Sequence, residues 1–450
     1  MSDLAGFLAA VREGLGDAAV VDDADQRASH ETDWTRRWRG TTPAVVRPSS
    51  TADVALIVAA ARASSVGLVS QGGNTGLVGG AVPEGEVVVD LRRLDELAPV
   101  DVAAGQVTVG AGATLAAVQA HVRPHGLEVA VDLGARDTAT IGGMVATNAG
   151  GLHVLRQGTM RRQVIGVEAV AGTGDVVEAN LAGLLKDNTG YDLAGLLCGS
   201  EGTLAIVTRA RLRLVPVPAE RAVAVIGFAS MDAAVAALPA LRAVTAVRAV
   251  EAMRRPDLAV VAAHLDRTFP MSPVPEVVLL VEVAGDGPLD AALGAVVSLG
   301  DADVVATDAA GVDALWRWRE ACPEAMVALG AVHKADVTLP TDQLPAFVAA
   351  VDEIIDRAGG AATTIVYGHL GDGNLHVNLV GPAPDDERAI DGVLGLALEL
   401  GGSVSAEHGI GRHKRAWLER QRGSAAVALM RATKAAWDPD GILNPGVLLP

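Results

Sequence analysis

Residues 368–378 constrain the fold of this chain more than any other segment. They read Gly-His-Leu-Gly-Asp-Gly-Asn-Leu-His-Val-Asn, with apolar and β-branched residues on both sides. Asp372-Gly373 is a strong signal for a two-residue hairpin turn, because both central positions of such a turn need positive φ. With that turn, His369 lies directly opposite His376, at a Cβ separation of about 5 Å. The segment therefore predicts an antiparallel pair that brings two imidazoles close enough to hold one metal ion.

Two more residues with metal and acid–base chemistry, Glu407 and His408, lie in a glycine-rich stretch over 401–411. Two histidines and one carboxylate form an open divalent-metal site that leaves positions for a substrate. If Glu407 is the third ligand, His408 can serve as a base. Period-2 alternation places Asn378 on the face of His376. A solvated polar hairpin and a surface turn are the alternatives.

Composition excludes several classes of function. The 450 residues are enough for two or three domains with their own cores. A net charge of −18 disfavours nucleic acids and anionic membranes as partners. Cys198 and Cys322 form no C-x-x-C pair, so neither a disulfide framework nor an iron–sulfur cluster is expected. No signal peptide and no stretch of about 18 apolar residues is evident, which predicts a cytoplasmic protein.

The order of strand and helix patterns predicts the domains. Residues 1–217 are expected to form one domain, with a core over about 40–217, and residues 218–420 a second. Residues 421–450 are expected to form a helical segment and a tail that return to the first. In the first domain, strands are predicted near 86–91, 106–111, 164–171 and 203–215, with helices after Ser50 and near 114–123. In the second, strands are predicted near 222–228, 276–283 and 334–339, and helices near 231–244, 288–299, 311–329, 343–358 and 386–400. A further helix near 413–437 crosses the boundary at residue 420 and precedes the tail.

Glycine-rich segments recur in the first domain. Residues 71–80 carry five glycines, which allow main-chain N–H groups to approach an anion such as a pyrophosphate. No strand–GxGxxG–helix unit and no P-loop pattern occurs. Further Gly/Asn/Thr segments at 141–151, 187–192 and 199–203 are read as loops. Together they indicate an extended polar ligand, the alternative being flexible surface turns.

These segments match a known pattern. Four of them carry the match in the first half: Pro48-Ser-Ser50, Gly72-Gly-Asn-Thr-Gly76, Ile141 to Gly151 and Gly199-Ser-Glu-Gly-Thr203. They resemble the FAD domain of the vanillyl-alcohol oxidase and p-cresol methylhydroxylase flavoproteins. Three segments carry it in the second half: 368–378, Glu407-His-Gly-Ile-Gly411 and Asn444-Pro-Gly446. These are similar to the FAD-linked dehydrogenases of D-2-hydroxy acids such as D-lactate, D-2-hydroxyglutarate and glycolate.

The resemblance covers the chain from about residue 40 and implies its fold class. An α+β protein is expected, with a two-part FAD-binding domain of the p-cresol methylhydroxylase type and an α+β substrate domain with an antiparallel sheet. FAD is expected to be non-covalent, because 71–76 lacks the histidine that attaches the flavin in some relatives. Val447 departs from the pattern, since relatives often carry Lys there. The implied cofactor-binding residues are Gly72, Gly73, Asn74, Thr75, Gly76, Leu77, Asp132, Thr140, Gly142, Gly143, Thr147, Asn148, Gly150, Glu201, Gly202, Ile206 and Asn444.

The resemblance also implies the reaction, the oxidation of a D-2-hydroxy acid to the 2-oxo acid. Zn or Mn, held by His369, His376 and Glu407, would lower the pKa of the substrate hydroxyl. His408 would remove the hydroxyl proton, and FAD would accept the hydride.

Three residues are implied in substrate binding: Arg319, Lys334 and Asn378. Arg319 and Lys334 would hold the substrate carboxylate, the arginine by a bidentate contact. The alternative for Arg319 is an ion pair with Glu320 or a neighbour on an exposed helix. Pro323 stands where the hydroxyglutarate enzymes carry Thr, which leaves D-lactate, D-2-hydroxyglutarate and other acids open.

Two other functions fit parts of the pattern. A non-redox transferase of the same superfamily would also keep FAD, and a zinc hydrolase would use the same ligand set. The expected partners are a small 2-hydroxy acid and an electron acceptor that is an electron-transfer flavoprotein, a quinone or a cytochrome. No nucleic acid is expected, and a homodimer is one option for the assembly.

Overall fold

The computed structural model describes residues 2–359 and 363–450. They form two compact units. The first comprises the chain up to Gly151, Gln157–Val217 and Glu407–Pro450, and the second comprises Leu152–Arg156 and Pro218–Ala406.

The first sheet of the first unit has four strands in the order β1-β2-β4-β3. The strands are β1 (Val20–Val21), β2 (Val45–Val46), β3 (Leu68–Gln71) and β4 (Val87–Asp90), and the helices of this part are α1 (Leu4–Leu15), α2 (Ala24–Arg27) and α3 (Thr51–Ser64). Ser50 caps α3 by accepting a hydrogen bond from Asp53 N. The apolar stripe of α3 and Phe7 of α1 bury a core against the sheet.

A second sheet follows in the same unit, built around its longest strand, β9. Its strands are β5 (Gln106–Gly110), β6 (Leu127–Val129), β7 (Val164–Ala171), β8 (Val176–Ala179) and β9 (Ala205–Pro216), and the helices are α4 (Leu115–Val122), α5 (Ile141–Thr147), α7 (Met160–Gln163) and α8 (Leu193–Leu197). The short helix α6 (Val154–Gln157) lies between α5 and α7 in the chain, and most of it belongs to the second unit. β9 pairs antiparallel with β5, β6 and β7. Two sheets with separate cores make this unit a two-part domain.

The second unit contains a seven-stranded antiparallel sheet in the order β13-β10-β12-β11-β15-β16-β14. Its strands are β10 (Glu220–Phe228), β11 (Val247–Arg254), β12 (Val277–Gly285), β13 (Ala302–Ala306), β14 (Val332–Thr338), β15 (Thr363–His369) and β16 (Asn374–Val380). Its helices are α9 (Met231–Ala243), α10 (Arg255–Leu265), α11 (Asp290–Val297), α12 (Ala309–Leu329), α13 (Leu344–Arg357) and α14 (Arg388–Glu399). β11, α10 and β13 were not predicted from the sequence.

The C-terminal segment belongs to the first unit from Glu407, not from residue 421 as expected. The side chain of Glu201 ties this segment to the first unit, because its carboxylate accepts hydrogen bonds from Ile410 N at 2.8 Å and Gly411 N at 2.7 Å. The helix predicted over 413–437 is two helices, α15 (Arg415–Arg422) and α16 (Ser424–Trp437). Gly423, with φ 79°, separates them. Among the described residues, no helix is both long and apolar enough to cross a bilayer.

Candidate active site

The hairpin of β15 and β16 is present, but its turn differs from the prediction. The turn has four residues, 370–373, instead of the two-residue Asp372-Gly373. Within it only Gly373 has a positive φ, of 85°, so the turn is not of the type that needs positive φ at both central positions. Asp372 N donates to the His369 carbonyl at 3.2 Å, and Gly373 N donates to the Leu370 carbonyl at 3.3 Å. These two bonds close a short helical turn.

The longer turn shifts the pairing register by two residues. Tyr367, not His369, lies opposite His376. Because side chains alternate with a period of two, this shift leaves His369 and His376 on the same face of the sheet. Their ring centroids are 5.3 Å apart, with an angle of 83° between the ring planes. The two imidazoles therefore lie together as predicted, although the predicted register is wrong.

Each imidazole is held by a fully buried carboxylate. Nδ1 of His369 lies 2.6 Å from Oε1 of Glu251, and Nδ1 of His376 lies 3.3 Å from Oδ1 of Asp336. Metal-binding histidines usually donate the second ring N–H to a carboxylate or carbonyl, which fixes the tautomer and the ring orientation. Nε2 is then the ligand atom of each ring. This donor set fits a divalent metal that accepts imidazole ligands.

Glu251 also binds the predicted substrate arginine. Nε of Arg319 lies 2.6 Å from Oε2 of Glu251, and its guanidinium lies over the ring of Tyr367, 4.4 Å from the centroid. Arg319 is 7% exposed, so the alternative of an exposed surface pair with Glu320 is wrong. Burial disfavours the charge on Glu251, but the positive charges of His369 and Arg319 outweigh it and lower the pKa of Glu251 to about 2.

Lys334 and Asn378 extend the same polar face. They are directly opposed in the pairing of β14 with β16, two residues from the pair formed by Asp336 and His376. Asn378 is 1% exposed, and its Nδ2 has no hydrogen-bond partner among the residues that the structure describes. A buried donor without a partner is costly, so this position is suited to a polar ligand.

A second buried carboxylate, Glu282 on β12, lies on the same face with partners of the same kinds. Its oxygens accept from His153 Nε2 at 3.0 Å, Trp316 Nε1 at 3.0 Å and Arg221 Nε at 2.8 Å. Burial disfavours its charge, but the hydrogen bond and charge of His153 and the charge of Arg221 lower the pKa of Glu282 to about 2. Trp316 also packs in the core around α12.

In the first unit, Gly72 and Gly73 pack closely against the segment that contains Thr138 and Thr140. A Cβ on Gly72 would lie 2.0 Å from Oγ1 of Thr140, and a Cβ on Gly73 would lie 1.8 Å from the carbonyl oxygen of Thr138. At Gly73 the clash would be with backbone and at Gly72 with a side-chain hydroxyl, so the two segments approach this closely because neither position has a side chain. Oγ1 of Thr140 is buried and has no hydrogen-bond partner within the described part of the chain. This polar atom fits a ligand that lies along the two segments.

The predicted loop at 141–151 is largely helical. Residues Ile141–Thr147 form α5, and Gly142 within it packs against Ala111, where a Cβ would lie 2.7 Å from the alanine Cβ. The helix ends at Asn148, which is left-handed with φ 51° and whose Oδ1 accepts from Arg161 N at 2.9 Å. The expected loop thus contributes a helix with a short left-handed end, and Asn148 has a structural role there.

Glu201 and Asn444 bind backbone in the first unit. Glu201 is left-handed, with φ 52°, and its carboxylate binds main-chain N–H groups of the 407–411 segment. Burial raises the pKa of Glu201 above its ordinary value, and those N–H groups and the charge of Lys414 only partly offset the rise. Nδ2 of Asn444 donates to the carbonyls of Gly80 and Glu201, whereas its Oδ1 is buried without a partner among the described residues.

The remaining predicted cofactor residues are dispersed over this unit. Nδ2 of Asn74 donates to the Thr32 carbonyl at 2.9 Å, Asp132 pairs with Arg136 at 3.1 Å, and Ile206 is buried on β9. The other predicted positions belong to the coil after β3, to α5 and the residues after it, and to the turn before β9: Thr75, Gly76, Leu77, Gly143, Thr147, Gly150 and Gly202. The unpaired atoms of Thr140 and Asn444 show that the residues present fit a polar cofactor such as FAD.

Glu407 and His408, which the sequence analysis pairs with the hairpin histidines, belong to the first unit. Oε1 of Glu407 accepts from Gly151 N at 2.6 Å, so this carboxylate holds the end of the 141–151 segment. His408 is half-buried and precedes Gly409, whose φ is 81°. The hairpin histidines, Arg319, Lys334 and Asn378 belong to the second unit.

Comparison with known proteins assigns the family. Residues 217–448 match the family described as FAD linked oxidases, C-terminal domain, and residues 42–180 match a FAD binding domain. The chain belongs to the FAD-linked oxidase family. It is 38% identical over 433 residues to a D-2-hydroxyglutarate dehydrogenase of Xanthomonas citri pv. viticola, covering 92% of this chain and 91% of the relative. It is 36% identical over 455 residues to a probable mitochondrial D-2-hydroxyglutarate dehydrogenase of Oryza sativa subsp. japonica, covering 97% and 80%.

The fold of the FAD-linked oxidase is shared with a more distant flavoprotein. A p-cresol methylhydroxylase solved with substrate bound superposes with a TM-score of 0.79 at 17% identity, covering 99% of this chain and 97% of that one. This likeness concerns the fold alone. The fold class and the resemblance to D-2-hydroxyacid dehydrogenases drawn from the sequence are both confirmed.

Proposed function

We propose that this FAD-linked oxidase oxidises a D-2-hydroxy acid to the 2-oxo acid, with a divalent metal assisting, and that D-2-hydroxyglutarate is its first candidate substrate. The observation that carries the proposal is the polar face of the seven-stranded sheet. There, His369 and His376 lie together with Nδ1 of each bound to a buried carboxylate. Lys334 and Asn378 extend this face. The curated relatives named as D-2-hydroxyglutarate dehydrogenases support the choice of substrate.

The metal would be held by His369, His376 and Glu407. The imidazoles offer Nε2, since Nδ1 is directed at a carboxylate in each ring. When bound, a Zn²⁺ or Mn²⁺ ion lowers the pKa of the substrate hydroxyl. The ligand set does not choose sharply between these ions, so either is expected to support the reaction.

The substrate carboxylate would be held by Arg319 and Lys334. Nε of Arg319 is committed to Glu251, which leaves the outer nitrogens of the guanidinium as the edge that meets a carboxylate. Lys334 adds a point charge. Nδ2 of Asn378 would donate to a substrate oxygen, which would satisfy a donor that is otherwise buried without a partner.

The proton and the hydride of the substrate would go to different acceptors. We propose that His408 accepts the hydroxyl proton as general base. When bound, FAD accepts the hydride from the α-carbon. The segments 72–76 and 140–151, with Glu201, Gly202, Ile206 and Asn444, would hold the cofactor without a covalent bond. The identity of the electron acceptor, the oligomeric state and the cytoplasmic location remain predictions from the sequence.

Anaerobic titration of the flavin tests the proposal. The protein should be purified with bound flavin that acid releases, and the flavin absorbance should be bleached by D- but not by L-enantiomers of 2-hydroxyglutarate or lactate. Flavin that no D-2-hydroxy acid reduces would point to the non-redox transferase instead. If the protein is colourless and does not bind added FAD, the zinc hydrolase is the function that remains.

A further inference from the structure

Glu251 binds a proposed metal ligand and a proposed substrate ligand at the same time. Its Oε1 lies 2.6 Å from Nδ1 of His369, and its Oε2 lies 2.6 Å from Nε of Arg319. Glu251 is completely buried. One carboxylate without solvent contact therefore connects two side chains that arise from different elements, the strand β15 and the helix α12.

The sheet register dictates this arrangement. Glu251 on β11 is directly opposite His369 on β15, so the two side chains leave the same face of the sheet. Arg319 reaches this face from α12 and also stacks over Tyr367, which is two residues before His369. His369 is thus held by its strand, and Arg319 by its contact with Tyr367. The carboxylate of Glu251 then fixes the orientation of both side chains.

The two contacts have different chemical consequences. A carboxylate at Nδ1 of His369 holds the proton there and makes Nε2 the lone-pair donor, and it increases the basicity of the ring. The contact at Nε of Arg319 orients the planar guanidinium, so its outer edge has a defined direction for a bidentate contact. Neither consequence requires Glu251 to touch metal or substrate.

We propose that Glu251 is a positioning residue that aligns His369 for the metal and Arg319 for the substrate carboxylate, so that one side chain determines both affinities. This inference rests on the proposed function of His369 and Arg319. It goes beyond that function because Glu251 is neither a proposed metal ligand nor a proposed substrate ligand. It lies on β11, a strand that carries none of the sequence motifs.

The substitution Glu251→Gln tests the proposal with little change in volume. Its amide has one acceptor oxygen, so it cannot accept from both His369 and Arg319, and the amide NH₂ must face one of these donors. We expect the Kd for Zn²⁺, measured by competition with a chelator, to weaken about 10–100-fold, the usual effect of losing an outer-shell partner. We also expect KM for D-2-hydroxyglutarate to rise by at least tenfold, whereas FAD content stays at the wild-type level.

Glu282→Gln is the matched control. Glu282 is 1% exposed, lies on the neighbouring strand β12, and also binds a histidine and an arginine, namely His153 and Arg221. None of these three has a role in the proposed site. The control should lower the melting temperature as Glu251→Gln does, yet leave the Kd for Zn²⁺ and the KM unchanged.

The outcomes separate the inference from the proposed function. If the wild-type protein binds no Zn²⁺ in this titration, the proposed metal function fails first. If it binds Zn²⁺ and Glu251→Gln keeps the wild-type Kd and KM, or if Glu282→Gln changes both equally, the positioning role is overturned. If the Glu251→Gln variant does not retain FAD, the Glu251→Asp variant is used for the same Zn²⁺ titration instead. Its shorter side chain is expected to weaken Zn²⁺ binding at least tenfold, and a wild-type Kd there would overturn the proposal.

Discussion

Replacing His369 or His376 by alanine should abolish both metal binding and turnover while the flavin stays bound. Each histidine supplies one of the three proposed ligands. Its loss should therefore weaken the affinity for the metal by more than the factor of about 10–100 that is typical of losing an outer-shell partner. It also leaves a buried carboxylate, Glu251 or Asp336, without its imidazole. Elemental analysis of the purified variants, together with their flavin absorbance, measures the two effects separately.

His153→Ala is the matched control for these variants. His153 is partly buried and, like the hairpin histidines, bonded to a buried carboxylate, at 3.0 Å from Glu282, but it is not among the proposed ligands. The His153→Ala variant should lose a comparable contact between a histidine and a buried carboxylate, and it should keep its bound metal. Metal retained at wild-type stoichiometry in both hairpin variants would contradict the assignment of the ligands.

His408→Ala should behave differently, because it removes a base and not a ligand. Metal and FAD should both remain, whereas turnover should fall by about 10²–10⁴-fold, the usual contribution of a general base. The rate of anaerobic flavin reduction measures this loss without involving the electron acceptor. The neighbouring variant Glu407→Ala is the comparison, since it should lose the metal as well. Wild-type reduction rates in His408→Ala would show that another group removes the proton.

The sequence predicted the residues of the hairpin better than its geometry. Period-2 alternation places His369, His376 and Asn378 on one face whether or not the register shifts by two residues. The predicted two-residue turn was wrong because Asp372-Gly373 is the end of a four-residue turn, 370–373. Local turn signals do not reveal the length of such a turn. The face was therefore predictable and the register was not.

The carboxylates behind the histidines could not be predicted in the same way. Glu251 lies on β11, more than a hundred residues before the hairpin, and its role depends on a pairing between distant strands. The segment that forms β11 has no clear alternation, so neither the strand nor its register was predicted. The available signal was a carboxylate within a largely apolar segment, which is clearest for Glu282, the only charged residue of β12.

In the first unit, glycine content marked the correct segments but not their conformation. Gly142 lies in a helix and packs so closely against Ala111 that it leaves no room for a side chain, and a sequence pattern does not distinguish such a glycine from one in a loop. Similarly, the placement of 407–420 with the first unit depends on the bonds from Ile410 N and Gly411 N to Glu201, two hundred residues earlier. Long-range pairing of this kind leaves no local pattern.

Removal and return of the metal tests the central claim most directly. Wild-type protein is treated with a chelator, its metal content is determined, and the rate of anaerobic flavin reduction by the D-2-hydroxy acid that bleaches the flavin is measured before and after Zn²⁺ or Mn²⁺ is added. The proposed function predicts that the metal-free protein keeps its FAD, loses flavin reduction, and regains it with one equivalent of either ion. Flavin reduction at the original rate in protein shown to be free of metal would contradict it.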